Sequence, residues 1–495
     1  MKKFLLAAIL FLAALAAGAQ VSRPKLVVGI MVDQMRWDYL FTVAHRWGDD
    51  GFNRLLSQGY SCNNTMIDYV PTVTACGHAS VYTGSTPAFH GIAGNDYKID
   101  GRSVSSVEDT TVRGVGTTGK AGRRSPRNLL VTTLGDQLKL ATGGQARVVG
   151  VSLKDRAAIL PAGHSADAAY WYDNDTHQFI TSDYYRQNLP AWVKTFNKEN
   201  AAVLARDVWK QPCGVSMTLA LAEAALRAEG LGRDEVTDLL AVSISTTDAA
   251  AHTFGVRSER VDSVYEQLDR DLAHFLRVLD NQVGQGNYLL FLTADHGGTY
   301  SEPHMQQQRI TSGRFDSGKA RQEANRVLKD RFGVDNLISD EMEYTFYINN
   351  QAIAQAGLDR EAVKTAAVEA LAAPRQVMWA VDCERAAQAP IPALVRERIL
   401  LGWHSKRSGE IFVLPVTGHY ASWEGDRCGS NHGTWSQSDS HIPLLFYGWH
   451  VPQGETAQLT HMTDIAPTVC AMLHIQAPDA AIGTPINAIT ASRQH

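Results

Sequence analysis

Five short apolar runs, at 26–32, 146–153, 239–244, 288–292 and 442–446, constrain this chain more than any other feature. Near-continuous apolar runs of this length suit strands buried on both faces. Four of them stop abruptly in polar residues. The first ends in Asp33, the second in Lys154-Asp155-Arg156, the third in Ser245-Thr246-Thr247-Asp248 and the fourth in Thr293-Ala294-Asp295-His296-Gly297-Gly298. Helical patterns lie between them. Val261, Val264, Leu268, Leu272, Phe275 and Leu279 recur at helical spacing within 258–281, with Ser258 placed to cap it. Further helices are expected at 215–231 and 463–473. Strands alternating with helices predict an α/β fold, a central mainly parallel sheet sandwiched by helices. Ligands of such sheets bind beyond the carboxyl ends of the strands, where the charged residues just named collect.

The chain has 495 residues, 44% of them hydrophobic and 20% charged, which is globular composition. Its 46 basic and 51 acidic residues carry no basic excess of the kind a nucleic-acid partner calls for. Met1-Lys2-Lys3, an apolar run over 4–16 and Ala17-Gly18-Ala19 read as a signal peptide at 1–19, cleaved before Gln20. The run is shorter than the roughly 20 residues a transmembrane helix needs. The mature chain, 20–495, is expected to be periplasmic, with no stable membrane anchor. Six cysteines (Cys62, Cys76, Cys213, Cys383, Cys428 and Cys470) form no C-x-x-C pair and read as structural, with no pairing legible. Residues 301–426, rich in Gln, Arg and Ala and carrying Pro374, Pro390, Pro392 and Pro415, hold no comparable strand before 410–414 and read as an inserted lid or cap. The oligomeric state is not legible; a monomer is favoured.

The polar residues at the strand ends suggest metal chemistry. Asp248 and His252, four apart on a helix, share one face. Asp295 and His296 are adjacent and must sit on a turn to point inward together. Asp33 closes the first strand, and His432 lies in the small-residue loop Gly429-Ser430-Asn431-His432-Gly433-Thr434. Singly, each has an ordinary structural explanation, since a strand-end Asp commonly caps a turn. Together they form a mixed nitrogen and oxygen donor set that suits Zn2+, with Mn2+ compatible on ligand type. In Pro71-Thr72-Val73-Thr74-Ala75-Cys76-Gly77-His78, a hydroxyl of Thr72 or Thr74 enters a short helix, where the helix dipole and a nearby metal would favour the alkoxide. No Walker A or G-x-S-x-G sequence is present.

Val32-Asp33-Gln34-Met35-Arg36-Trp37-Asp38, Val70-Pro71-Thr72-Val73-Thr74 with Gly77-His78, and Gly91-Ile92-Ala93-Gly94-Asn95 resemble motifs of the alkaline phosphatase superfamily. So do Thr247-Asp248 with His252, Thr293-Ala294-Asp295-His296-Gly297 and His432-Gly433-Thr434. The motifs run in order from about 26 to 475 and are most similar to the PafA-type, phosphate-irrepressible bacterial alkaline phosphatases, relatives of the nucleotide pyrophosphatase/phosphodiesterases. The resemblance implies two Zn2+ per chain, with Asp33, Thr74, Asp295 and His296 on one and Asp248, His252 and His432 on the other. It implies Thr74 as nucleophile through a phosphothreonine intermediate, and Asn95, Lys154 and Arg156 as contacts to phosphoryl oxygens. The expected substrates are small-molecule phosphate monoesters of broad range. A diester would collide with the Lys154 and Arg156 pair, so those two residues separate this reading from a phosphodiesterase or pyrophosphatase. A catalytically silent binding module is the rival from another class. The formylglycine motif of type I sulfatases is absent, because Cys76 is followed by Gly77-His78-Ala79-Ser80.

Overall fold

The computed structural model describes residues 22–421 and 428–491. The expected signal peptide lies outside the described residues. Ten strands make the main sheet: β1 (Leu26–Val32), β2 (Tyr60–Cys62), β3 (Gly114–Val115), β4 (Val148–Ser152), β5 (Ala168–Asp173), β6 (Gln178–Ser182), β7 (Asp238–Ile244), β8 (Tyr288–Thr293), β9 (Leu444–Gly448) and β10 (Gly454–Thr456). Their spatial order is β10-β2-β9-β8-β1-β7-β4-β5-β6-β3. The central block β8-β1-β7-β4-β5 is parallel throughout. β9 joins it antiparallel to β8, and β6 antiparallel to β5. Every residue of β1, β4, β7 and β8 is buried, which is why these strands read as unbroken apolar runs.

Six helices matter for the site and its support: α1 (Thr74–Thr83), α2 (Asp155–Ala162), α3 (Cys213–Ala228), α4 (Thr246–Phe254), α5 (Glu259–Leu279) and α6 (Ile465–Leu473). They flank the sheet, with α1 packed on α2 and α3 on α5. The Ser258 hydroxyl accepts the Val261 N–H at 3.3 Å and caps α5, whose Val261, Val264, Leu268, Leu272, Phe275 and Leu279 are buried. Each such side chain taken from water contributes about 1.5–3 kcal/mol. Among the described residues no helix is long and apolar enough to cross a membrane.

Two strand expectations need correction. The run at 442–446 is not one strand. Pro443 lacks the N–H a ladder requires, so His441–Ile442 pairs with Thr65–Met66 in a separate three-stranded sheet and only Leu444–Gly448 enters the main one. Within 301–426, four strands precede Ile411–Pro415, where none comparable was expected; the first, Gly313–Phe315, pairs separately with His419–Ala421. Ile338–Met342, Thr345–Ile348, Ile411–Pro415 and Val377–Asp382 form an antiparallel sheet in that order. Ile338–Met342 keeps mostly half-exposed positions and mixes polar with apolar residues, so it carries no apolar run; Val377–Asp382, also mostly half-exposed, does carry one, Val377-Met378-Trp379-Ala380-Val381, which the expectation passed over. Helices Ser317–Phe332 and Arg360–Ala372 complete a second core around Ala324, Leu328, Phe346, Val363, Leu371 and Val413.

Candidate active site

Four adjacent strand ends build the site. Asp33 directly follows β1. Lys154 is the N-cap of α2, after β4, and Arg156 lies in the first turn of that helix. Asp248 and His252 sit one turn apart on α4, after β7. Asp295 and His296 follow β8. Thr74 is the first residue of α1, with Val73 extended ahead of it. His432 comes from a loop tied down by Thr72, whose hydroxyl donates to the Thr434 carbonyl at 3.0 Å and accepts the Gly433 N–H at 3.1 Å.

These side chains converge as two donor groups. In the first, His296 Nε2 is 3.6 Å from Asp33 Oδ1, 3.4 Å from Asp295 Oδ2 and 3.4 Å from Thr74 Oγ1. In the second, Asp248 Oδ1 is 3.1 Å from His252 Nε2 and 3.7 Å from His432 Nε2, and the two histidine nitrogens are 3.3 Å apart. The rings of His296 and His432 stack at 3.6 Å, placing the groups side by side. Donor atoms of Asp33, Asp295 and His296, and of Asp248, His296 and His432, each lie within 4.8 Å of one another.

Three observations test whether divalent cations fit. Asp33 Oδ1 and Asp295 Oδ2 are buried without a hydrogen-bond partner, and the buried Asp248 Oδ1 faces only the ring nitrogens of His252 and His432. Three buried carboxylates share one buried ammonium, Lys154, an excess of negative charge that a protein interior does not hold uncompensated. The outer nitrogens of His296 and His432 donate to the carbonyls of Gly297 (2.8 Å) and Thr72 (2.7 Å), which leaves each Nε2 as a lone-pair donor. The residues fit a pair of cations.

Electrostatics follow from burial and crowding. Burial lowers the pKa of His296, and burial together with the neighbouring His296 and His252 lowers that of His432, so both rings stay neutral. Asp33 is pushed well above the usual carboxylate range by burial and by Asp248 and Asp295. Burial opposes ionisation of Asp248 as well, but His252 and Lys154 hold it well below that range. Lys154 keeps its charge against burial because Asp248 and Asp33 surround it. Its Nζ lies 2.6 Å from an oxygen of each carboxylate and 3.2 Å from Thr74 Oγ1.

A pocket of about 440 Å3 opens over Thr74, lined by Asn95, Lys154, Arg156, Asp248, His252 and His432. Every candidate residue is therefore in or beside one cavity. Of the other histidines, only His78 reaches the donor groups among those considered, its Nδ1 lying 3.4 Å from Asp295 Oδ2, and its ring nitrogens are otherwise taken. His78 spends one nitrogen on the Thr74 carbonyl (2.8 Å) and the other on the Ser243 hydroxyl (2.7 Å), His90 bonds Ser80, His304 stacks on Tyr300 and His441 on Trp37. The insertion supplies what sequence reasoning missed, Glu343 and Tyr344 at the pocket wall. No local signal marks them, because their turn contains neither Gly nor Asn.

α1 approaches the Asp295 turn closely at Gly77, where a Cβ would come within 2.2 Å of the Asp295 carbonyl oxygen. Gly77→Ala is expected to push Thr74 and Asp295 apart, costing about 1–3 kcal/mol of stability and lowering turnover. Thermal unfolding and steady-state rates on the same preparation check this.

The family described as type I phosphodiesterase / nucleotide pyrophosphatase matches residues 27–435. A protein of Myroides odoratus described as a calcium-transporting ATPase is 42% identical, covering 96% of each chain. Alkaline phosphatase PafA of Elizabethkingia meningoseptica is also 42% identical, covering 95% of each. A crystal structure of wild-type alkaline phosphatase PafA superposes with a TM-score of 0.92 at 41% identity, over 95% of this chain and all of that one. A variant structure of that phosphatase, with one threonine, one asparagine, one lysine and one arginine substituted in that order, matches equally broadly at a TM-score of 0.91. With this coverage and identity, the chain belongs to the type I phosphodiesterase / nucleotide pyrophosphatase family, within the alkaline phosphatase superfamily.

Proposed function

We propose that this chain is an exported, periplasmic phosphate-monoester hydrolase that transfers the phosphoryl group to Thr74 and then to water. The observation that carries the reading is one cavity in which Lys154 Nζ stands 3.2 Å from Thr74 Oγ1, with Asn95 and Arg156 on its wall and the two donor groups beside it. The alkaline phosphatases among its relatives support the reaction class. The residue types replaced in the variant structure are those of Thr74, Asn95, Lys154 and Arg156, in the same order.

Asp33, Asp295, His296 and Thr74 would hold one cation, and Asp248, His252 and His432 the other; the donor set suits Zn2+. Such a pair lowers the pKa of a hydroxyl beside it and offsets charge on the attacking and leaving oxygens of an in-line displacement. The residues of the chain do the rest. Thr74 attacks phosphorus from the N-terminus of a ten-residue helix, where the dipole favours developing negative charge. The bond to the leaving alkoxide breaks as the bond to Oγ1 forms, and water then attacks the phosphothreonine to release inorganic phosphate. Lys154, within reach of any phosphoryl group on Oγ1, and Arg156, with its planar fork, offset charge on the non-bridging oxygens. Asn95 adds a neutral donor. A monoester dianion offers three such oxygens, whereas a diester has one of them esterified.

Metal removal tests the two-cation arrangement. Dialysis against a strong chelator is expected to abolish turnover of an aryl phosphate and to lower Tm; zinc is expected to restore both, at two ions per chain. A ligand at a thousand times its Kd stabilises the fold by about 4 kcal/mol, a shift thermal unfolding resolves. Full turnover by metal-free protein, or zinc that binds without raising Tm, would refute it.

A further inference from the structure

Glu343 and Tyr344 are the two-residue connection between Ile338–Met342 and Thr345–Ile348, in which Met342 pairs with Thr345. Both have positive φ, 48° and 70°. A two-residue hairpin with both residues left-handed ordinarily uses Asn-Gly; a long acidic side chain and an aromatic one are strained there. Residues held in this way cluster at functional sites, kept by what their side chains bind. Both side chains here reach out of the insertion into the catalytic pocket. Tyr344 accepts the Ala421 N–H at 2.7 Å and donates to the His432 carbonyl at 3.3 Å. Glu343 receives the Asn95 backbone N–H on both carboxyl oxygens, at 2.9 and 3.0 Å, and its carboxyl lies beside the Asn95 side chain, which tempers the rise of its pKa. The fit is close, because a Cβ on Gly94 would come within 2.3 Å of Glu343 Oε2.

Asn95 is thereby held from two sides. Its Oδ1 accepts the N–H of Ala75, the residue after Thr74, at 3.0 Å. That bond turns the donor end of the amide away from α1. An amide NH2 has two hydrogens, so one can face Glu343 while the other remains for a phosphoryl oxygen. We propose that Glu343 is a positioning residue for monoester hydrolysis: reaching in from the insertion, it clamps the backbone of Asn95 and flanks its side chain so that the amide is already aimed when the phosphoryl group arrives. Donors fixed in advance stabilise a transition state without reorganising. Burial pushes the Glu343 carboxyl up to about 8, so near neutrality it places little negative charge beside an incoming dianion. The inference rests on reading Asn95 as a phosphoryl contact, and it gives the insertion a part in the reaction.

A double-mutant cycle on the zinc-loaded enzyme tests it, with kcat/KM for an aryl phosphate monoester measured in the parent, Glu343→Asn, Asn95→Ala and the double variant. Asn keeps the left-handed turn but is one methylene too short to reach Asn95. Glu343→Asn is expected to lose about tenfold in the parent and less than about twofold once Asn95 is gone. Glu343→Gln, which keeps an acceptor at full reach, should stay near the parent rate, a rescue that mere filling of the turn by Asn would not give. Thermal unfolding of each variant establishes that the folded protein is being compared. The proposal is overturned if Glu343→Asn costs the same factor with and without Asn95, or costs nothing in the parent. Asn95→Ala turning over at the parental rate would instead overturn the reading of Asn95, and this one with it.

Discussion

Thr74→Ala is expected to lower kcat for phosphate monoesters by at least about a thousandfold, because it removes the group that forms the intermediate and not merely a contact. The fold should be untouched. The hydroxyl's neighbours are Lys154 Nζ at 3.2 Å and His296 Nε2 at 3.4 Å, both anchored by other partners. Thr72, the other hydroxyl in the same stretch, is already committed to Thr434 and Gly433, so it serves the His432 loop and is not a competing nucleophile. Thr74→Ser should keep substantial activity, since a primary hydroxyl is presented at the same helix start. Acid quenching during turnover, followed by peptide mass analysis, should find one phosphoryl group on the peptide containing Thr74 and none in Thr74→Ala. Parental rates in that variant, or a phosphoryl group on another residue, would sink the covalent mechanism.

The strand ends were legible because burial on both faces writes itself as an apolar run, and a strand that stops at a polar residue shows where the ligand side of the sheet begins. Asp33, Lys154, Asp248 and Asp295 fall at four neighbouring ends for that reason. The strands that escaped notice are of another kind. β5 is fully buried but built largely from aromatic residues, β6 mixes an aromatic and an aliphatic with hydroxyl residues, and Ile338–Met342 of the insertion is half-exposed and polar, so no aliphatic run marks these three. Pro443 shows a limit of run-reading, because one missing N–H splits a hydrophobic stretch between two sheets. Glu343 shows a deeper one. It lies 248 residues from Asn95 along the chain, and its turn departs from the residues such turns prefer. Local rules fail there because long-range contacts overrule them, as functional sites often require.

Replacing Lys154 and Arg156 together by alanine is expected to cut kcat/KM for an aryl phosphate monoester by about 10^2- to 10^4-fold, two charge-assisted hydrogen bonds being worth roughly 1.5–3 kcal/mol each. The matching methyl diester should lose about tenfold or less, since it carries one negative charge fewer and has one oxygen blocked. The two residues enter this result differently. Arg156 lies at the pocket wall with its buried Nε lacking a hydrogen-bond partner, so its loss disturbs little besides the substrate. Lys154 bridges Asp33 and Asp248, and its loss also removes a positive charge from between the two donor groups. Bound zinc must therefore be counted in each variant. With zinc retained, a selective loss on the monoester assigns both residues to the phosphoryl dianion. Equal losses on monoester and diester with zinc retained would mean that the pair does not read the dianion, and the preference for monoesters would then have to come from the shape of the pocket around Asn95 and Glu343.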